Sequence, residues 1–276
     1  MPELPEVEHV VRALRPIVTG RRIIAAQLNL KRIAPELSRA AFGRRLKDTT
    51  ITGVGRRGKY ILFELESGSL LATHLRMTGK FVSLTLDESL PPYAHVVFFL
   101  DDERRLVFCD MRQFGRMRLI LDAGKLPKEI STLAPEPLSD EFTEKYFLAT
   151  LSRSRRSLKQ LLLDQTRVLG LGNIYAVEAL FLAGVNPLKP AHRLSKPRAR
   201  KLFHAIRQVL QEAIDAGSTL RINMADGNGS YFGTTERFWR VYERGGEPCV
   251  NNCGAKIKRV VHGGRSTYYC PRCQRN

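Results

Sequence analysis

The apolar residues of this 276-residue chain change their period once, and that change limits the fold more than any other feature. Up to residue 121 the apolar residues sit in short runs rich in β-branched and aromatic side chains: RRIIAAQLNL, KYILFELE, SLLATHLR, GKFVSL, HVVFFL and RLVFCD. Turn signals separate them, with ESGS (66–69) and LDDER (100–104) reading as hairpin turns. One exception opens the chain. Val7, Val10, Val11 and Leu14 fall at i, i+3, i+4 and i+7, so a helix is predicted over 6–18. Pro5 suits its first turn, Glu6 and Glu8 suit the positive end of its dipole, and Thr19-Gly20 ends it. Beyond residue 138 the period becomes helical, over 139–149, 154–164, 173–183 and 195–216, the last opened by Ser195 and closed by Gly217.

Strands gathered in one half and helices in the other predict an α+β multidomain chain. The expected parts are an N-terminal antiparallel β-sandwich with one helix (1–121) and a Pro- and Gly-marked linker (122–138). A helical domain (139–240) and a terminal cysteine-bounded module (241–276) follow. Residues 217–238, rich in Gly, Asn and Thr, read as a mobile loop, and the tail from about 238 as a short strand leading into the cysteines.

Charge limits the partner. Lys and Arg number 45 against 27 Asp and Glu, a net +18. Such an excess makes a long-range positive field whose commonest partner is a polyanion, nucleic acid before an anionic membrane surface. A membrane span is not expected: the most apolar stretch, VLGLGNIYAVEALFLAGV (168–185), is interrupted by Asn173 and Glu178. The acidic N-terminus lacks the basic and then apolar run of a signal peptide, so a cytoplasmic location is expected.

Four of the five cysteines are packed as Cys249-VNN-Cys253 and Cys270-PR-Cys273. Two close pairs at this separation predict one tetrahedral Zn²⁺ held by two knuckles on a β-hairpin. Four protein ligands leave no open position, so the metal would be structural. Between the pairs lie Lys256, Lys258, Arg259, His262 and Arg265, with Gly263-Gly264 at the hairpin tip: a basic tip facing phosphates. Cys109, alone in an apolar run, is expected to be inert core.

The opening MPELPEVEHVVR, taken alone, is a helix start with acids in its first turn. Together with GRRGKYILF (55–63), THLRMTGK (73–80), DMRQFGR (110–116), LLLDQTRVLGLGNIYAVEAL (161–180) and CPRCQ, it resembles the formamidopyrimidine-DNA glycosylases. These are bacterial base-excision repair enzymes of the helix–two-turn–helix family that also contains endonuclease VIII. The likeness runs over essentially the whole chain, in the same order. It implies a monomeric, bifunctional glycosylase and abasic-site lyase acting on double-stranded DNA with oxidised bases or abasic sites. It also implies that Met1 is removed and that the Pro2 amine is the nucleophile. An α-amine titrates near pH 8, so part of it is neutral at working pH, and a secondary amine that displaces the base yields an iminium ion directly. By the same resemblance Glu3 shuttles protons, Lys59 joins Pro2 and Glu3 in the catalytic set and contacts the backbone near the lesion, His74 makes another phosphate contact, and Met77, Arg112 and Phe114 fill the space of the flipped base. Asn173 would cap a helix whose amides face an anion, Tyr242 and Arg265 would hold phosphates, and Lys159 and Glu6 would lie close to the flipped base.

Three departures from the family pattern bear on this expectation. The first cysteine knuckle has three intervening residues instead of two, which requires a different local turn. Met111 and Gln113 replace a proline and an arginine beside Arg112, which bears on the preferred opposite base. The second half of 217–238, which in the family closes over the extruded base, also differs, which bears on substrate identity. PELPE and the Met-Arg-Phe set favour oxidised purines over an endonuclease VIII-like preference for oxidised pyrimidines. Pro2, Glu3 and Lys59 together argue against a non-catalytic DNA- or RNA-binding protein.

Overall fold

The computed structural model describes residues 2–217 and 239–275. It divides into two compact units, one comprising Pro2 and Glu6–Ser131, the other Glu3–Pro5, Thr132–Ala216 and 239–275.

In the first unit α1 (Leu4–Val18) precedes β1 (Arg22–Leu28), α2 (Arg39–Leu46), β2 (Thr49–Arg57), β3 (Tyr60–Leu65) and β4 (Leu70–His74). Then come β5 (Lys80–Thr85), β6 (Ala94–Leu100), β7 (Arg104–Cys109), β8 (Arg116–Ile120) and the single turn α3 (Lys128–Ser131). The strand order is β5-β7-β6-β1-β2-β3-β4-β8, and every pair is antiparallel. Between β1 and β2 only Arg22↔Thr50 and Ile23↔Thr49 pair, so the sheet breaks there into two four-stranded layers. The layers face each other: Phe63 of β3 meets Phe81 of β5 edge-on at 5.5 Å, and Phe81 meets Phe108 of β7 at 5.3 Å. Val7, Val10, Val11 and Leu14, all fully buried, bring the α1 stripe into the same core. This is the expected sandwich.

Cys109 belongs to a smaller cluster with Val82, Leu84, Val97 and Val107, and burial pushes its thiol up to about 11, partly offset by Lys80. Four elements were not expected. β2 (TTITGVGRR) carries two glycines and two arginines where a strand signal needs apolar residues, and in α2 only Phe42 and Leu46 are buried. β8 is the third, and the single turn α3 in the expected linker, with Ile130 buried, the fourth. Each is specified by its sheet and core neighbours rather than by local propensity.

The second unit contains α4 (Glu144–Ser152), α5 (Leu158–Leu163), α6 (Asn173–Leu182), α7 (Lys196–Asp215) and the hairpin of β9 (Lys258–His262) with β10 (Arg265–Tyr269). Phe142, Phe147 and Phe203 lock α4 to α7, the first and last stacked at 5.3 Å. From Tyr175 to Phe181 every residue of α6 is buried. Among the described residues no helix is long and apolar enough to cross a membrane.

The strand expected from about 238 is absent from 239–250. The reason is Glu178, only 1% exposed on α6, whose carboxylate takes the amides of Arg240, Val241 and Tyr242 at 3.0, 2.8 and 3.0 Å. Amides spent on one carboxylate cannot pair with a strand. Of the expected loop, residues 218–238 lie outside those described.

Candidate active site and nucleic-acid interface

At the N-terminus of α6 a helix should leave amides without partners. Here Glu3, 2% exposed, takes them. The Gly172 amide donates to its Oε2 at 2.6 Å, Ile174 to Oε1 at 2.9 Å and Tyr175 to Oε2 at 3.2 Å. The two glycines of LGLGN make this approach possible. A Cβ on Gly172 would collide with the Glu3 carboxyl, and one on Gly170 (φ 83°) would meet Leu4 Cδ1 at 2.5 Å. The Leu4 amide in turn donates to the Gly170 carbonyl at 3.0 Å. The anion at this helix end is therefore the protein's own carboxylate. Asn173 is the first residue of α6 and not its cap, which is Gly172. This corrects the expected cap, because only glycine leaves room for Glu3. It also explains why Glu3–Pro5 groups with the helical unit and not with all of 1–121.

Asn173 does something else. Its Nδ2 donates to the Ser266 carbonyl of the hairpin at 3.1 Å, and its Oδ1 is buried without a hydrogen-bond partner. Lys159, 0% exposed on α5, donates to the same carbonyl at 2.9 Å and to Thr267 Oγ1 at 2.6 Å. A side chain so enclosed does not reach a flipped base, so the expected base contact is replaced by a grip on the hairpin that carries Arg265. Burial, then the nearby Arg265 charge, pulls the Lys159 amine down to about 8. Arg265 itself is exposed beside the tip, and His262 across from it bonds Ser157 at 2.7 Å. Tyr242 is half-buried, edge-on to Tyr268 at 5.5 Å and Trp239 at 6.1 Å. Burial, then Glu243, Tyr268 and Glu3, pushes its phenol up to about 12, so it is a proton donor at working pH.

The sulfurs of Cys249, Cys253, Cys270 and Cys273 lie within 4.8 Å of one another, the 249–273 pair at 3.8 Å and the 253–270 pair at 3.5 Å. Tetrahedral Zn–S bonds of roughly 2.3 Å require edges of about 3.8 Å, so the set fits one zinc. The extra residue of the first knuckle is absorbed by Asn252 at φ 50°, a left-handed conformation that Asn tolerates, whose amide closes a turn on the Cys249 carbonyl at 3.0 Å.

In the sandwich unit Pro2 is buried, Glu6 half-buried, and Lys59, 6% exposed, follows Gly58 in the two-residue turn between β2 and β3. His74, 8% exposed, accepts the Arg76 amide at Nδ1 at 3.0 Å and stands edge-on to Tyr60 at 4.8 Å. Burial, then Arg76 and Lys59, pulls its imidazole down to about 3. It is therefore a neutral ring whose Nε2 carries the hydrogen.

The 110–115 loop is shaped by Asp110, 0% exposed, which accepts from the Thr78 hydroxyl and from the Gly115 amide at 2.6 Å. Thr78 Oγ1 accepts the Arg112 amide at 3.1 Å, and His95 bonds the Asp110 carbonyl at 2.9 Å. With its polar groups spent inward, the loop turns apolar residues out. Met111 is 59% and Phe114 41% exposed, the Arg112 guanidinium lies 4.9 Å over the Phe114 ring, and Met77, in the turn of Thr78 between β4 and β5, is 39% exposed. Gln113 stands at φ 55°. The sequence gives neither Asp110 nor Glu178 a role in holding the site. The one available signal was a lone carboxylate in an otherwise apolar run, FCDM for the first and AVEAL for the second.

Three family models match this chain. The formamidopyrimidine-DNA glycosylase N-terminal domain covers residues 1–117, its H2TH domain 133–223, and the zinc finger found in FPG and IleRS 246–276. Formamidopyrimidine-DNA glycosylase of Pelotomaculum thermopropionicum is 44% identical over 278 residues, spanning 100% of this chain and 99% of the relative. That of Bacillus subtilis is 41% identical over 278 residues, spanning 99% of each. Crystal structures of the Lactococcus lactis enzyme superpose with a TM-score of 0.88 at 35% identity, covering 99% of this chain and 100% of theirs. One is non-covalently bound to DNA containing an abasic site, another complexed with Fapy-dG-containing DNA.

Proposed function

The chain belongs to the formamidopyrimidine-DNA glycosylase family of base-excision repair glycosylases and abasic-site lyases, and we propose that it excises oxidised purines from duplex DNA. In this reading 8-oxoguanine and formamidopyrimidines are the substrates, and the abasic product is cleaved by β,δ-elimination. The observation that carries it is the Glu3 carboxylate, fixed by the Gly172 cap amide and two α6 amides at 2.6–3.2 Å and one residue from the Pro2 nitrogen. With Met1 removed, that nitrogen attacks the anomeric carbon. The C–N bond to the base breaks as the new bond forms, and the C1′–O4′ bond then opens to give the iminium. That cation takes up the electron pair left by loss of the C2′ proton, so that the phosphate can leave with the C–O pair. Glu3 moves the protons that ring opening and elimination require.

The remaining assignments follow the family. Lys59 and the neutral His74 Nε2–H contact the backbone beside the lesion. Met77 and Phe114 fill the gap left by the base, and Arg112 donates to the orphaned partner. Arg265 and Tyr242 hold phosphates from the hairpin side, Asn173 and Lys159 hold the hairpin itself, and Glu6 lies near the extruded base. Zinc on Cys249, Cys253, Cys270 and Cys273 supplies structure and no chemistry. The protein acts as a monomer in the cytoplasm on double-stranded DNA.

Borohydride should trap a covalent adduct with an 8-oxoguanine duplex, and Pro2→Gly should abolish trapping while leaving duplex binding. Full-speed nicking by Pro2→Gly would overturn the nucleophile. A panel of lesion duplexes in which oxidised pyrimidines are cut fastest would overturn the substrate class.

A further inference from the structure

Lys59, 6% exposed, sits in a two-residue turn closed by the pair Arg57↔Tyr60. A β2 side chain, Arg56, reaches that turn. Arg56 Nη1 donates to the Gly58 carbonyl at 3.1 Å, immediately before Lys59. The same guanidinium points its Nε the other way, donating to Glu8 Oε2 on α1 at 3.1 Å. The second oxygen of Glu8 accepts from Arg12 Nε at 3.0 Å, which fixes the carboxylate on its own helix. The side chains of Arg56 and Glu8 are only 12% and 17% exposed, so this pair is screened far less than a surface ion pair. Burial alone would raise the Glu8 carboxyl, but Arg56 and Arg12 outweigh it and hold it below the usual carboxylate range. A planar guanidinium can serve two acceptors in fixed directions, which an ammonium on a flexible stem cannot.

We propose that Glu8 and Arg56 are positioning residues that fix the Gly58-Lys59 turn against α1 and so place the Lys59 amine for the glycosylase reaction. The proposal rests on the role given to Lys59 above. Neither residue touches the reacting atoms; each acts through the lysine.

The test is a double-mutant cycle on single-turnover excision from an 8-oxoguanine·cytosine duplex, with unfolding measured in parallel. Glu8→Gln, Arg56→Lys and Arg56→Ala are each made with Lys59 present and with Lys59→Ala. With Lys59 present, Arg56→Ala and Glu8→Gln should slow excision about tenfold, and Arg56→Lys should recover only part of the rate. In the Lys59→Ala background the same changes should cost less than about twofold, because the residue they act through is gone. Equal losses in both backgrounds, or no loss from any variant, would overturn the proposal. If Arg56→Ala does not fold, the near-isosteric Glu8→Gln gives the same comparison. Wild-type excision by Lys59→Ala alone would instead remove the assignment of Lys59, and the inference with it.

Discussion

Buried carboxylates at single positions set much of this geometry, each by collecting donors that would otherwise go unpaired. Asp110 joins the Thr78 turn to the 110–115 loop, so Asp110→Ala leaves the half-buried Thr78 O–H and the buried Gly115 amide without their acceptor. We expect that change to destabilise the protein by about 2 kcal/mol, read as a lower denaturant midpoint at unchanged slope. His74 gives a pH signature. Its imidazole titrates near 3 in the folded protein against about 6.5 when unfolded, so between those values the unfolded state binds more protons. The stability due to its neutral ring is complete above pH 6.5 and is lost as pH falls towards 3, by about 1.4 kcal/mol per pH unit at most. Replacing His74 with Gln should flatten that part of the stability profile, and imidazole resonances should show no protonation of His74 above pH 5.

Among the elements, the β9–β10 hairpin depends most on outside support. Five residue pairs in a two-stranded ribbon are marginal in water, and the supports are zinc at one end and α5 with α6 at the other. Lys159→Met should therefore speed hydrogen exchange at Ser266 and Thr267 and weaken DNA binding about as much as Arg265→Ala, with no change in the sandwich. Chelation should melt the hairpin and release DNA while the sandwich keeps its own unfolding transition, since the four sulfurs are the ligands of one ion. A hairpin that stays protected after zinc is removed would assign its stability to Lys159 and Asn173 alone.

For the whole molecule the relevant quantity is the net +18. Duplex affinity should fall linearly with log salt, and Arg265→Ala should reduce the slope by about 1, with similar losses on unrelated sequences. An unchanged slope would take Arg265 off the phosphates. The layers of the molecule were open to sequence reading because burial imposes period 2 on strands and 3.6 on helices. α1 begins within two residues of expectation and α6 and α7 agree within one. β2 and α2 escaped because long-range pairing specifies them, with few apolar residues of their own to mark them.

By itself, the amino-acid sequence determined the α+β division, the four-thiolate site, the polyanion-seeking charge and, through its motifs, the family. Each is a property of composition or of spacing along the chain, and survives without knowing what meets what. Only the tertiary structure decided who satisfies whom. It gave the α6 amides to Glu3 and the 240–242 amides to Glu178, turned Lys159 inward, and linked Arg56 to both Glu8 and the Lys59 turn. Those partners stand between 2 and 172 positions apart in sequence, and a hydrogen bond is set by distance in space, which no local pattern records.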